Sequence, residues 1–199
     1  MALATAVLLL GIADSMVGSY AVLFAADEVG LSPLQVGVFA SAPAVGGMVV
    51  SSLLGRRFDR HPTRIYAAAV TAAGALGLVL IAVTRSFALL VLVAATLFGA
   101  VAAAFPQLFA LARVTLGAGP AGQRSTPLLR SAWSSAWAIG PLLGAALLTR
   151  TGFPTLMLTA AAILAGTALV TLAIPAPWSG SPPIRIRLRH QLPPPCKSS

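Results

Sequence analysis

An all-α polytopic membrane protein, a six-transmembrane-helix bundle, is the fold class this sequence predicts, and three observations carry the prediction. Hydrophobic residues make up 58% of the chain and charged residues 9%, with a mean hydropathy of +0.92, whereas soluble domains carry roughly 25% charged residues. The apolar residues gather into six runs, each close to the ~20 residues a helix needs to cross a hydrocarbon core. Nearly all the basic residues fall between or after those runs.

The first run, residues 3 to 26, reads as a span and not as a signal peptide. It lacks a basic start and exceeds the roughly 7–15 apolar residues of such a peptide. Five more runs follow at residues 33 to 54, 65 to 84, 87 to 112, 128 to 149 and 154 to 174. Short links between the third and fourth and between the fifth and sixth predict tight helical hairpins. Runs this apolar with such short links must be α-helical, since a helix satisfies its backbone hydrogen bonds within one segment. Residues 1 to 174 are thus one membrane domain. Residues 175 to 199 change character, with Pro175, Pro177, Pro182 and Pro183 followed by Arg185, Arg187 and Arg189. They are expected to be a basic, proline-rich cytoplasmic tail. It is either the end of a truncated or frame-shifted reading frame or an arm drawn to anionic lipid at about 1 kcal/mol per basic residue.

Orientation follows from charge. From Gly55 to Arg64 the chain reads Gly-Arg-Arg-Phe-Asp-Arg-His-Pro-Thr-Arg, which holds four of the 13 Lys and Arg residues. With the amino terminus inside, only Arg85 and Arg150 fall outside, and Asp27 and Glu28 occupy the first outside loop. Both termini are then expected in the cytoplasm, with the chain a multi-pass protein of the cell inner membrane.

The same pattern excludes other classes. A net charge of +9 that follows loop position, with no basic face interleaved with aromatics, does not mark a nucleic-acid binder. Cys196 is the only cysteine, so no internal disulfide or multi-cysteine metal site is expected, and no spacing implies a metal or an organic cofactor. An intramembrane enzyme fares poorly as well. His61 and His190 lie outside the spans, no lysine lies within one, and Asp14 has no second aspartate beside it.

Glycines 46, 47, 74, 77, 99, 140 and 144 are spread through the spans, where small residues let helix backbones approach closely. Prolines 43, 106 and 141 also lie inside apolar runs, where they bend or break helices. Bent helices are common in bundles that open and close around a central site.

The stretch from Gly55 to Arg64 resembles the loop signature of the major facilitator superfamily, a glycine followed four residues later by Asp-Arg and then by further basic residues. Six spans would be one half of that fold. The resemblance implies that Gly55, Asp59, Arg60 and Arg64 belong to a latch against the other half, with Asp59 its acid and the two arginines its basic partners. Pro62 and Thr63 stand where the family usually has a glycine and a basic residue. In the fifth span, Gly140-Pro141-Leu142-Leu143-Gly144 resembles the Gly-Pro-x-x-Gly motif of the family's antiporters, which implies gating in a secondary-active exporter.

Val17 to Phe24, Ala104 to Arg113 and Leu129 to Ser134 are similar to bacterial sugar efflux transporters of the Set type. That similarity implies efflux of sugars or similar small polar solutes by alternating access, with drug efflux as the alternative. The arginine that many drug and proton antiporters carry within the fourth span is absent, because Arg113 lies at its cytoplasmic end. The implied partners are a small-molecule substrate, the lipid bilayer, and either a second copy of this chain or a separate carboxy-terminal half. A lone half would otherwise be a non-transporting membrane interaction protein.

The residues themselves nominate a substrate site. Asp14 is the only acid inside a span, and a carboxylate at membrane depth marks a pathway or a proton relay, or else a protonated acid bonded to a neighbouring helix. Arg130, Trp133, Ser134 and Trp137 fall at i, i+3, i+4 and i+7, so they share one helical face. Aromatic rings can stack on the apolar face of a sugar while a hydroxyl or a charge binds its hydroxyls. The same tryptophans could instead pack on a neighbouring helix, with Arg130 an interfacial anchor. Gln107, just after Pro106, offers an amide either to substrate or to another helix.

Overall fold

Apolar sequence makes helices of nearly all the described residues, and glycines decide where they touch. The computed structural model describes residues 2–61, 63–116 and 120–174. Among them, six stretches are long and apolar enough to cross a membrane. The first is α1 (Ala2–Leu23), which ends in a widened turn at Phe24–Glu28, and the second is α2 (Pro33–Arg60). After α3 (Arg64–Val83), the fourth span is assembled from α4 (Phe87–Val93), a widened turn at Ala94–Phe98, a tightened one at Gly99–Ala103, and α5 (Ala104–Leu116). The last two are α6 (Pro120–Thr151) and α7 (Phe153–Ala173).

Local chemistry explains the ends. Pro33 opens α2 at a position whose N–H would be unpaired anyway, and the Ser32 N–H donates to Gln35 Oε1 at 3.0 Å in a capping box. Thr63 Oγ1 accepts from the Ile65 N–H at the start of α3. α6 and α7 are joined through Gly152 alone, at a φ of 83° that a glycine adopts without a Cβ clash.

Two boundaries depart from the apolar runs. α2 continues through Arg60, so most of the charged stretch from Gly55 is helix end rather than loop; arginine is a good helix former once the chain leaves the hydrocarbon. α6 begins at Pro120, well before residue 128, for the same reason that proline opens α2. The expected tail at 175–199 lies outside the described residues. Pro43 and Pro141 sit within continuous helices. The interruption comes in the fourth span, where Pro106 has no N–H to donate and its ring crowds the carbonyl of Ala102, next to the tightened turn.

Apart from α3 and the fourth span, helices that follow one another in the chain are not the ones packed most broadly. α1 packs chiefly on α6 and then on α7, α2 on the irregular part of the fourth span, and α3 on α7. Span one therefore meets five, two meets four and three meets six. Exchanging the first three spans with the last three maps these pairings onto themselves, as in bundles built from internal repeats. In lipid such contacts depend on close packing rather than on water exclusion, and glycines provide it. A Cβ at Gly46 would collide with the Ala95 carbonyl, one at Gly47 would lie 2.6 Å from the Ala102 Cβ, and one at Gly74 would collide with Val101. Thr71, Thr167 and Thr171 are fully buried and return their hydroxyls to carbonyls on their own helices.

Each end of the bundle is tied. At one end Phe58, Leu111 and Ile174 form a small buried cluster, and the Arg64 guanidinium donates to the Ile174 carbonyl. At the other, Arg85 donates to Glu28 Oε1 at 3.0 Å and lies 6.0 Å from the centroid of Phe24, whose ring meets Phe153 edge-on. That ion pair is partly exposed and contributes at most ~1 kcal/mol. The flanks differ more than the ends. In α2 and the fifth span 17% of the most apolar stretch is buried, against 39–50% in the other four spans.

Candidate functional site

α6 is anchored along one edge by residues spaced four apart. Ala136, Gly140 and Gly144 face α1, where a Cβ at Gly140 would collide with Ser15 Oγ and one at Gly144 would lie 2.6 Å from the Tyr20 ring. Gly11 on α1 reciprocates, since a Cβ there would lie 2.6 Å from the Ala136 Cβ and 3.2 Å from the Trp133 ring. Two hydrogen bonds cross the seam: Ser15 Oγ donates to the Ala136 carbonyl at 3.2 Å, and the Tyr20 hydroxyl donates to the Pro141 carbonyl at 2.8 Å. Gly140, Pro141 and Gly144, expected from resemblance to gate, are in this structure points of closest helix contact.

The four residues nominated on α6 do share a face, and it is open. Arg130, Ser134 and Trp137 are exposed and Trp133 is half-buried. Trp133 carries the link to the fourth span, with its ring centroid 4.4 Å from Phe105 and 6.4 Å from Trp137, and Phe105 lies 4.5 Å from Phe109. An aromatic run from Phe109 through Phe105 and Trp133 to Trp137 thus crosses from α5 to α6, each ring tilted on the next as ring quadrupoles prefer. Phe105 and Phe109 were not nominated from sequence. Their spacing of four on either side of Pro106 and Gln107 is the one signal that could have found them.

Asp14 is half-buried in α1 and makes no hydrogen bond or ion pair among the described residues. It comes three residues after Gly11, which lies under the Trp133 ring, and on the helix face that continues through Gly18 and Ala21. Gly18 and Ala21 line a crevice of about 200 Å³ that α2 closes with Phe39 and Pro43 and the fourth span with Phe98. The carboxylate therefore stands one helical turn below an apolar crevice, free to accept hydroxyl donors or to exchange a proton. Gln107 is elsewhere. Only 4% of it is exposed, it shares a buried stripe with Ala100, Ala103, Ala104 and Leu111, and its Oε1 has no donor. The structure brings Trp133 beside Gly11 on α1 but does not bring Gln107 to the open face.

The residues of the expected latch lie at the end of the bundle where Phe58 and Ile174 are buried. Gly55 faces open space, Asp59 and Arg60 are exposed on the last turns of α2, and Arg64 opens α3. Asp59 pairs with neither arginine, and the Arg85–Glu28 pair is the sole ion pair among the described residues. Arg64 is instead held by the Ile174 carbonyl, and Asp59 sits at the carbonyl end of its helix, where the dipole offers an acid no help. Among the described residues no group of three His, Cys, Asp or Glu could hold a metal.

The two sets of three spans pair across each other, with one polar and aromatic flank left open, which makes this a multi-pass membrane bundle of the internally repeated kind. The pattern of the Major Facilitator Superfamily matches residues 3–194, and the chain belongs to that family. It is 38% identical over 185 residues to the "Putative sugar efflux transporter" of Deinococcus radiodurans, covering 90% of this chain and 48% of that protein. It is 35% identical over 157 residues to sugar efflux transporter A of Dickeya chrysanthemi, covering 78% and 40%. Sugar efflux transporter C of Escherichia coli is 33% identical over 157 residues, covering 77% and 39%. The chain thus spans less than half the length of these relatives.

Proposed function

We propose that this chain is the amino-terminal half of a facilitator-type exporter of sugars or similar small polar solutes, working by alternating access. The observation that carries the reading is the open face of α6. Arg130, Ser134 and two tryptophan rings stand on one side of a helix whose other side is sealed against α1. Rings stack on the apolar face of a sugar, and Arg130 and Ser134 supply donors to its hydroxyls. Asp14, unpaired one turn from the Trp133 contact, is the coupling or binding carboxylate. The Gln107 carbonyl lies buried without a donor, at a cost of about 1–3 kcal/mol, and a substrate hydroxyl or a water entering the bundle relieves it. The names of the relatives support sugar as the solute.

Alternating access rocks two bundles about a site between them, and the sparsely covered flanks of α2 and α6 are where the second one docks. Asp59, Arg60 and Arg64 then act in the latch against that bundle, and Gly140, Pro141 and Gly144 form the pivot between α1 and α6. The excess of arginine at the Gly55–Arg64 end supports a cytoplasmic location for that end and for both termini, with the chain in the cell inner membrane.

Proteoliposomes loaded with labelled sugar test this, with the chain reconstituted alone and together with a carboxy-terminal half supplied as a second polypeptide. Efflux that Asp14→Asn abolishes at unchanged insertion is the expected result. Efflux equal in wild type and variant, or absent from both preparations, refutes the proposal. Blue-native electrophoresis of the purified chain separates a homodimer from a half awaiting a different partner.

A further inference from the structure

An apolar groove separates α3 from α7 at the Arg64 end of the bundle. Its walls include Ile65, Ala69 and Ala72 on α3 and Ala165, Ala168 and Leu172 on α7, and its volume is about 490 Å³. Each set spans eight residues of one helix, which makes a slot about 10 Å long. The floor is shallow because it is alanine. The helices run in opposite directions, so Ile65 and Leu172 mark the same end.

Just beyond that end lies Arg64. One of its N–H groups donates to the Ile174 carbonyl and bridges the two helices, and the described residues give its remaining donors no partner. Arg56, Arg57 and Arg60 are exposed on the last turns of α2, with Asp59 the one acid among them. The first turn of α3 adds the positive end of a helix of 20 residues. An alkyl slot that opens onto an excess of positive charge is complementary to one kind of molecule.

We propose that this groove holds an acyl chain of an anionic phospholipid, with the lipid phosphate on the Arg64 guanidinium. Ile65 and Leu169 are 60% and 69% exposed within apolar spans, so hydrocarbon already surrounds the groove. An extended peptide segment there would leave backbone groups unpaired. The groove lies apart from the open face of α6.

Native mass spectrometry of the purified chain with equal phosphatidylglycerol and phosphatidylethanolamine tests it. One basic residue near a lipid surface corresponds to about a fivefold preference for the anionic lipid, and wild type should show at least that. Arg64→Gln should lose the preference and Arg64→Lys should keep it. Ala72→Phe, at an exposed position in the slot, should lower the binding of both lipids without loss of helix content by circular dichroism, and Ala69→Phe should repeat the effect. Equal retention of the two lipids by wild type, an unchanged preference in Arg64→Gln, or unchanged binding in both phenylalanine variants overturns the proposal.

Discussion

Along one edge of α6, Ala136, Gly140 and Gly144 meet α1 so closely that no further carbon fits at either glycine, while Arg130, Ser134 and Trp137 on another face stand clear of the bundle. The two edges belong to one helix and follow different spacings. Four-residue steps of small side chains keep a single contact line against a crossing helix. The i, i+3, i+4 and i+7 spacing of the large polar and aromatic residues spreads them over a broader face. A half-bundle in lipid needs the first to hold the helix and leaves the second for whatever docks there. In this helix glycine marks the fixed side and Trp137 the available one.

Substitutions can break or sharpen that contrast. The largest effect belongs to the sealed edge: Gly140→Leu should destabilise the bundle by about 3 kcal/mol, because Ser15 and the α1 backbone must move aside. Denaturation in mixed micelles followed by circular dichroism measures it, and a change below about 1 kcal/mol would mean that α1 and α6 are not locked. Trp133→Ala comes next, at about 2 kcal/mol, since the ring is half-buried between Phe105 and Trp137. If it costs more than Gly140→Leu, the aromatic run and not the glycine edge holds the fifth span.

Tyr20→Phe removes the bond to the Pro141 carbonyl and should cost about 1 kcal/mol in the same assay. Trp137→Ala should change stability least, by about 0.5 kcal/mol or less. It should nevertheless weaken sugar binding about three- to tenfold, measured by equilibrium dialysis on the assembled transporter. Lost stability with unchanged binding would move Trp137 from the available face to the packed one.

Much of the fold was legible because hydropathy reports directly on membrane spans. All six appear, and the shared face of Arg130, Trp133, Ser134 and Trp137 follows from helical spacing alone. The end of α2 was not legible, since arginines that mark the end of the hydrocarbon are still good helix formers. The pairing expected of Asp59 with Arg60 and Arg64 does not occur within this chain, because the Ile174 carbonyl, more than a hundred residues away in sequence, takes Arg64 instead. Gln107, beside a helix break, reads from sequence as an amide for substrate or for another helix. Its burial among alanines depends on how the fourth span is turned, which a pattern within one span does not state.

Phe105 and Phe109 acquire meaning only beside Trp133. The glycines of α6 could be seen as small, but not that Ser15 and Tyr20 were the side chains they make room for. The six helices and the charged ends that bound them can be read from the chain alone, because a helix in lipid satisfies its backbone locally and charge avoids hydrocarbon. Only the tertiary structure decided that span one meets five, two meets four and three meets six. Every span is apolar enough to face any other, so steric fit between small residues far apart in the chain selects the partners.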